Sequence, residues 1–180
     1  RTITVEYEAL YVVATYVPNS GDKLQRHAFR TDVWDKRLGE YLKQLETTGA
    51  GQGSPGKPVV WCGDLNVAHL DQDIWNVGAK HLVKTPGTTP KERASMSALL
   101  EEGGFVDTFR HQHKDVGGWF SYWSVRAGNR PWNRGLRLDY FIASAALLDP
   151  AASGPKVVDS YILSDLVALD HAAIALTVQL

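Results

Sequence analysis

Pro58-Val-Val-Trp-Cys-Gly-Asp-Leu-Asn66 is the stretch on which the fold turns. Val59 to Cys62 is an unbroken apolar run of strand-forming residues, which reads as a short buried strand. It runs into Gly63-Asp64-Leu65-Asn66, at a junction of strand and loop where scaffolds usually present polar side chains. In an extended segment Asp64 and Asn66 are two apart and point the same way. The aspartate brings a carboxylate that binds a hard cation or takes a proton. The asparagine brings a neutral donor and acceptor suited to a phosphate or water oxygen. Gly-Asp-x-Asn is also ordinary turn composition, and spacing alone leaves both readings open.

Before this strand, Thr2 to Val17 alternates and then turns almost solidly apolar, predicting a hairpin whose second strand is deeply buried. A domain seldom opens in mid-sheet, so residues 1–180 are expected to be the C-terminal portion of a longer domain. Pro18-Asn-Ser-Gly closes the hairpin in a turn. From Lys23 to Glu46, Leu24, Ala28, Val33, Trp34, Leu38, Leu42 and Leu45 recur at helical spacing and predict an amphipathic helix. Thr47 to Pro58 is rich in Gly, Thr and Pro and reads as a surface loop. After it, Thr89-Pro-Lys-Glu92 is a capping box with proline at the first helical position, predicting a helix to about Glu102, stopped by Gly103-Gly104. Further strands are predicted at 106–110, 119–125, 136–144, 157–163 and 173–179. Strands with interspersed helices and no repeat indicate an α/β or α+β layered domain with one core.

Composition narrows the function classes. Nineteen basic against twenty acidic residues leave a net charge of −1, which excludes nucleic-acid binding by bulk charge but not by a local patch. A single cysteine, Cys62, excludes an internal disulfide framework and a cysteine-rich zinc site. The apolar runs are far shorter than the ~20 residues of a membrane span, and no leader is read at the start.

Several polar residues sit where chemistry would need them. Asp139 lies inside the apolar run Leu136-Arg-Leu-Asp-Tyr-Phe-Ile, where a carboxylate needs a partner; His171 is the obvious candidate. His171 follows Asp170 and could serve as general base or as a cationic phosphate partner, although an Asp-His dipeptide is most often a plain loop. Tyr16-Val-Pro-Asn19 puts a phenol and an amide at a strand end, a pattern that also describes a core tyrosine before a turn. From Gly117 to Leu138, Arg126, Arg130, Arg134 and Arg137 interleave with Trp119, Phe120, Tyr122, Trp123 and Trp132, without one acidic residue. Arginines track phosphates and aromatics stack on bases. The competing reading places the aromatics in the core and leaves the arginines solvated.

Taken in order, Tyr16-Val-Pro-Asn-Ser-Gly, Trp61-Cys-Gly-Asp-Leu-Asn-Val-Ala-His, Thr89-Pro-Lys-Glu-Arg, Gly135-Leu-Arg-Leu-Asp-Tyr-Phe and Leu169-Asp-His resemble the exonuclease III-like apurinic/apyrimidinic (AP) endonucleases of the endonuclease/exonuclease/phosphatase superfamily. The resemblance runs over essentially the whole chain. It implies a four-layered α/β sandwich of the DNase I-like kind, of which this chain would be mostly the second half. The implied enzyme is a hydrolase of base-excision DNA repair, dependent on Mg2+ with Mn2+ as an alternative. It would cut double-stranded DNA on the 5′ side of an abasic site, with 3′-phosphodiesterase and 3′→5′ exonuclease activities as companions. It would work in the nucleus, or alternatively the mitochondrion, and engage no membrane. By the matched motifs, Asp64 would orient or deprotonate the attacking water and Asn66 would help hold it. Asp139 would fix His171 as a donor to a phosphate oxygen, and Tyr16 and Asn19 would contact the scissile phosphate. The implied metal residues are Asp64, Asn66, Asp170 and His171. Tyr122, Trp123, Leu136 and Leu138 match the pocket for a flipped-out abasic sugar, and Arg26, Arg126 and Arg137 fall on the DNA side.

Two residues depart from the family pattern: Leu136 stands where tryptophan is usual, and Leu169 where serine often precedes the final Asp-His. The family's main metal carboxylate lies upstream of Thr2, so a missing N-terminal segment of the same protein is an expected partner. Two other readings remain open: a phosphodiesterase of the superfamily acting on another substrate, and a catalytically dead nucleic-acid-binding half-domain.

Overall fold

The computed structural model describes residues 1–48, 56–166 and 169–180. Seven strands and three α-helices follow in order: β1 (Thr2–Glu6), β2 (Tyr11–Tyr16), α1 (Asp35–Thr47), β3 (Val59–Asp64), α2 (Pro90–Gly103), β4 (Phe105–Asp107), α3 (Thr108–Gln112), β5 (Asp139–Ser144), β6 (Lys156–Leu163) and β7 (Ala173–Gln179). Five strands form one mixed sheet in the order β1-β2-β3-β5-β4, and β6 and β7 form an antiparallel pair. The β2–β3 pair is parallel, as its crossover through α1 requires, and the other neighbours are antiparallel. The fold is mixed α/β.

Alternation along the strands sets the layers. Tyr11 and Val13 of β2, Val59 and Trp61 of β3, and Tyr140 and Ile142 of β5 point to one face, where Leu38 and Leu42 of α1 and Met96 and Leu99 of α2 bury them. On the opposite face, Val60 and Ala143 meet Leu147, with Val157 of β6 and Leu176 of β7 packed beside them. Of the four expected layers, the described residues form three: helices, the large sheet and the β6–β7 pair. Strand β1 is exposed along its whole length, with Ile3 and Val5 at 68% and 42% exposure. No helix among the described residues is long and apolar enough to cross a membrane.

The predicted hairpin forms, pairing Thr2 with Thr15 and Glu6 with Tyr11. The capping box forms as well: the Thr89 side chain accepts from the Glu92 amide, and α2 ends on Gly104 in the left-handed region. Three expectations need correction. The helix predicted from Lys23 is broken: residues 22–24 make one 3-10 turn and Phe29–Trp34 is π-helical before α1 begins at Asp35. The strand predicted at 106–110 is only β4, because the Asp107 side chain caps α3 by accepting from the Arg110 amide. Residues 119–125 form no strand but a loop held by isolated bridges from Tyr122 to Leu136 and His171. Most of the predicted loop at 47–58 lies outside the described residues.

Candidate active site

Strand register alone brings three expected residues into line. Tyr16 is the cross-strand partner of Asp64, and Asp64 is the partner of Asp139, so the three form a row across β2, β3 and β5. All three lie on the face opposite α1 and α2. The chain leaves β3 sharply here. Gly63 has φ +125°, and a Cβ at that position would sit 2.0 Å from the Thr15 carbonyl oxygen, so only glycine passes. Asn66 takes a left-handed conformation, φ 49°, which asparagine tolerates better than most residues.

Asn66 is the hub of the site. Its backbone amide and its Nδ2 donate to the two oxygens of Asp64, at 2.9 and 3.0 Å. The same Nδ2 reaches the Val17 carbonyl at 2.9 Å, and Oδ1 accepts from Asn19 Nδ2 at 2.9 Å. Asn19 is therefore drawn into the site from the turn after β2. Burial pushes the Asp64 carboxyl up to about 6; the neighbouring Asp139 charge adds to that rise, and the Asn66 amide opposes it.

Asp139 and His171 pair as their environments require: His171 Nδ1 lies 2.7 Å from Asp139 Oδ2. An ionised carboxylate accepts, so Nδ1 carries the proton and Nε2 is left for other partners. Burial works against the charged ring, but the hydrogen bond to Asp139 and the charges of Asp139, Asp64 and Asp170 outweigh it, and the His171 pKa is raised. Ser121, which the sequence did not single out, joins the two halves of this pair. Its buried hydroxyl accepts from the Leu138 and Asp139 amides at 2.9 and 3.0 Å, and its carbonyl accepts from the Ala172 amide at 2.8 Å. A lone serine in an aromatic stretch carries no sequence signal for this task.

Around His171 lies an apolar wall. The Tyr122 ring stands 5.0 Å from the imidazole, and Tyr122 and Leu136 are half-buried against Ala68, Ile74 and Leu138. Arg26 is exposed and donates from Nε to the Asn19 carbonyl, and Arg126 is exposed in the turn after Trp123. Tyr16 is exposed, with the Arg1 guanidinium 5.2 Å from its ring. Asp170 is exposed, its carbonyl bound by the Trp123 amide. A groove of about 710 Å3 between α1 and α2 is lined by none of these residues.

Several expected positions are corrected. Arg137 is 1% exposed and its guanidinium binds Asp73 and Asp107, so it faces away from any DNA. Trp123 belongs to a separate buried cluster with Phe109, Phe120 and Ile162, and Leu138, 6% exposed, supports the wall from behind. The expected metal set is not assembled either. Among the described residues, no group of three or more His, Cys, Asp or Glu side chains is placed to hold an ion. Asn66 Oδ1 accepts from Asn19 and its Nδ2 donates to Asp64 and Val17, so the Asn66 amide organises its neighbours.

The raised Asp64 pKa makes a stability prediction. Between about pH 4 and pH 6 the folded chain keeps a proton that the unfolded chain has released, so this residue's contribution to stability falls as pH rises through that window. Solvent around the partly exposed carboxylate reduces the effect to about 1–2 kcal/mol. Urea denaturation of the protein and of Asp64→Ala at several pH values should show the difference between them shifting in that direction. A gap independent of pH would contradict the assignment.

Comparison with known proteins gives the same picture. A family profile described as the endonuclease/exonuclease/phosphatase family matches residues 2–165. A DNA-(apurinic or apyrimidinic site) endonuclease of Dictyostelium discoideum is 39% identical over all of this chain and 46% of its own length. An exodeoxyribonuclease of Bacillus subtilis is 37% identical over all of this chain and 64% of its own length. The crystal structure of the AP endonuclease LMAP from Leishmania major superposes with a TM-score of 0.83 at 33% identity, over 97% of this chain and 53% of that one. The chain thus spans only about half to two thirds of these three relatives. With its strand-end row of Tyr16, Asp64 and Asp139 set on this fold, the chain belongs to the endonuclease/exonuclease/phosphatase family.

Proposed function

We propose that this chain is the C-terminal portion of an AP endonuclease domain, which hydrolyses the phosphodiester 5′ to an abasic site in double-stranded DNA. The observation that carries the reading is the pairing of an activated carboxylate with a carboxylate-oriented histidine at the ends of adjacent strands. Asp64, held at both oxygens by Asn66 and raised in basicity by burial, orients a water and takes its proton. His171, oriented by Asp139 and favoured in its doubly protonated form by the carboxylates around it, donates from Nε2 to a phosphate oxygen and stabilises the charge that develops there. Tyr16 and Asn19 flank this pair and contact the phosphate.

The wall of Tyr122 and Leu136 beside His171 supports abasic specificity. An apolar wall suits the sugar of an abasic site better than a nucleotide that still carries its polar base. Exposed Arg26 and Arg126 supply local positive charge that a net charge of −1 does not. Mg2+ or Mn2+ belongs to this reading as the source of charge neutralisation. Its ligand set is incomplete among the described residues, so a further carboxylate would come from an upstream segment of the same protein. The exposed apolar side chains Ile3 and Val5 on β1 are consistent with such a segment.

The test compares cleavage of an abasic duplex with that of an intact duplex by the complete protein in Mg2+. Fast incision 5′ to the abasic site, suppressed by a chelator, is the expected result. Equal rates on both duplexes would point to a different phosphodiesterase. Salt-sensitive binding without any cleavage would leave only a nucleic-acid-binding module.

A further inference from the structure

The turn that carries Asn19 is strained. Gly21, Lys23 and Leu24 all have positive φ, at 84°, 60° and 61°. Outside glycine such a conformation costs about 1–2 kcal/mol per residue, so it persists only where the surroundings hold it. Two buried charged groups grip the turn at its start, at Ser20 and Pro18, and neither belongs to the catalytic row. The first is Glu92, fully buried in the first turn of α2. One of its oxygens accepts from the Ser20 hydroxyl at 2.5 Å. The other closes the cap, accepting from the Gly87 amide at 2.9 Å and from the Thr89 hydroxyl at 2.7 Å. The second is Arg30. Its Nε binds Asp35 at 2.7 Å, while Nη1 reaches the Pro18 and Asn66 carbonyls at 3.3 and 3.4 Å.

The broken helix explains how Arg30 gets there. In an α-helix, residues five apart lie about 140° apart around the axis, on different faces. The π-helical segment Phe29–Trp34 turns residues five apart to the same side, so Arg30 and Asp35 can pair and aim the guanidinium at the turn. Ser95 of α2 donates to Asp35 and completes this arm.

We propose that Glu92, acting through the Ser20 hydroxyl, and Arg30, acting through the Pro18 and Asn66 carbonyls, are positioning residues that hold Asn19 against Asn66 and so keep the phosphate-contacting amide in register with Asp64. The inference rests on the proposed phosphodiester hydrolysis at this site. Ser20 lies next to Asn19, and Asn19 binds both Asn66 and the Gly21 amide. A shift of the turn by less than an ångström would therefore be felt at Asp64.

The test uses two substitutions in the complete protein, each deleting one hydroxyl bonded to the Glu92 carboxylate. Ser20→Ala frees the turn, whereas Thr89→Ala weakens the helix cap and the Thr89–His27 hydrogen bond but leaves the Ser20–Glu92 bond in place. Each should lower Tm by about 2–6 °C. Ser20→Ala should also lower kcat on an abasic duplex by about tenfold or more with KM changed less than about twofold, while Thr89→Ala keeps kcat. Exchange of the Gly21 amide should accelerate in Ser20→Ala alone. Normal kcat in Ser20→Ala, or an equal kcat loss in both variants, overturns the inference. A wild-type protein that cuts no duplex removes the proposed function instead; unaltered Gly21 exchange in Ser20→Ala then overturns the positioning role as well.

Discussion

Replacing Asp64 with alanine in the complete protein is expected to lower the rate of abasic-duplex cleavage by about a thousandfold or more, with duplex affinity changed only a few-fold. A positioned general base is typically responsible for about 10²–10⁴ of a rate. Asp64 should lie toward the upper end because it also orders its surroundings. Both of its oxygens receive hydrogen bonds from Asn66, whose amide in turn holds Asn19 and the Val17 carbonyl. Alanine removes the proton acceptor and leaves the hub without one anchor. DNA affinity should survive, because the residues suited to holding the duplex are Arg26, Arg126 and the wall of Tyr122 and Leu136, none of which bonds to Asp64. His171→Ala should behave similarly, losing orders of magnitude in kcat through the missing phosphate donor. Single-turnover cleavage and equilibrium DNA binding measure the two quantities separately. Turnover within tenfold of wild type in both variants would remove the assigned roles.

Arg137→Ala is expected to destabilise the fold by about 3–5 kcal/mol, more than any substitution in the catalytic row. Arg137 is the centre of a buried ion cluster in which it binds Asp73 at 2.8 Å and Asp107 at 2.6 Å. Arg110 joins through Asp73, and the Tyr140 ring lies 4.2 Å from the Arg137 guanidinium carbon. Burial alone would raise the Asp73 pKa, but the charges of Arg137 and Arg110 hold it below the ordinary carboxylate range. Deleting Arg137 leaves two carboxylates to share one cation in a place without solvent, which is the costly way to break a buried pair. Its neighbours Leu136 and Leu138 would loosen with it, so abasic-site recognition should weaken in whatever protein stays folded. Urea denaturation near neutral pH gives the stability. A loss below about 1 kcal/mol would mean that the cluster contributes little net energy.

Arg137 also marks a limit of sequence reading. The segment from Gly117 to Leu138 offers four arginines and no acid, and nothing local distinguishes the one that is buried from those that face solvent. Its partners Asp73 and Asp107 lie 64 and 30 residues away. Trp123 fails for the same reason, since an aromatic stripe suits a DNA surface and a core equally well. Asp139 was more legible: an acid inside an apolar strand demands a partner, and His171 supplies it across 32 residues. Arg30 and Ser121 were silent, Ser20 was only one letter of a motif and Glu92 was legible only as a helix cap, because a buried hydroxyl or a helix-borne charge looks ordinary until its neighbours are known.

By itself the sequence determined what is local in this protein. The strand from Val59 ending in Asp64 and Asn66, the hairpin before it and the capped helix at Thr89 all follow from side-chain size, branching and backbone hydrogen bonding within a few residues. Tertiary structure alone decided which charges are paired, which aromatics are wall and which are core, and where the helix after Pro18 breaks. Those outcomes depend on electrostatics and packing between groups dozens of residues apart, whose energies exist only once the layers have closed around them.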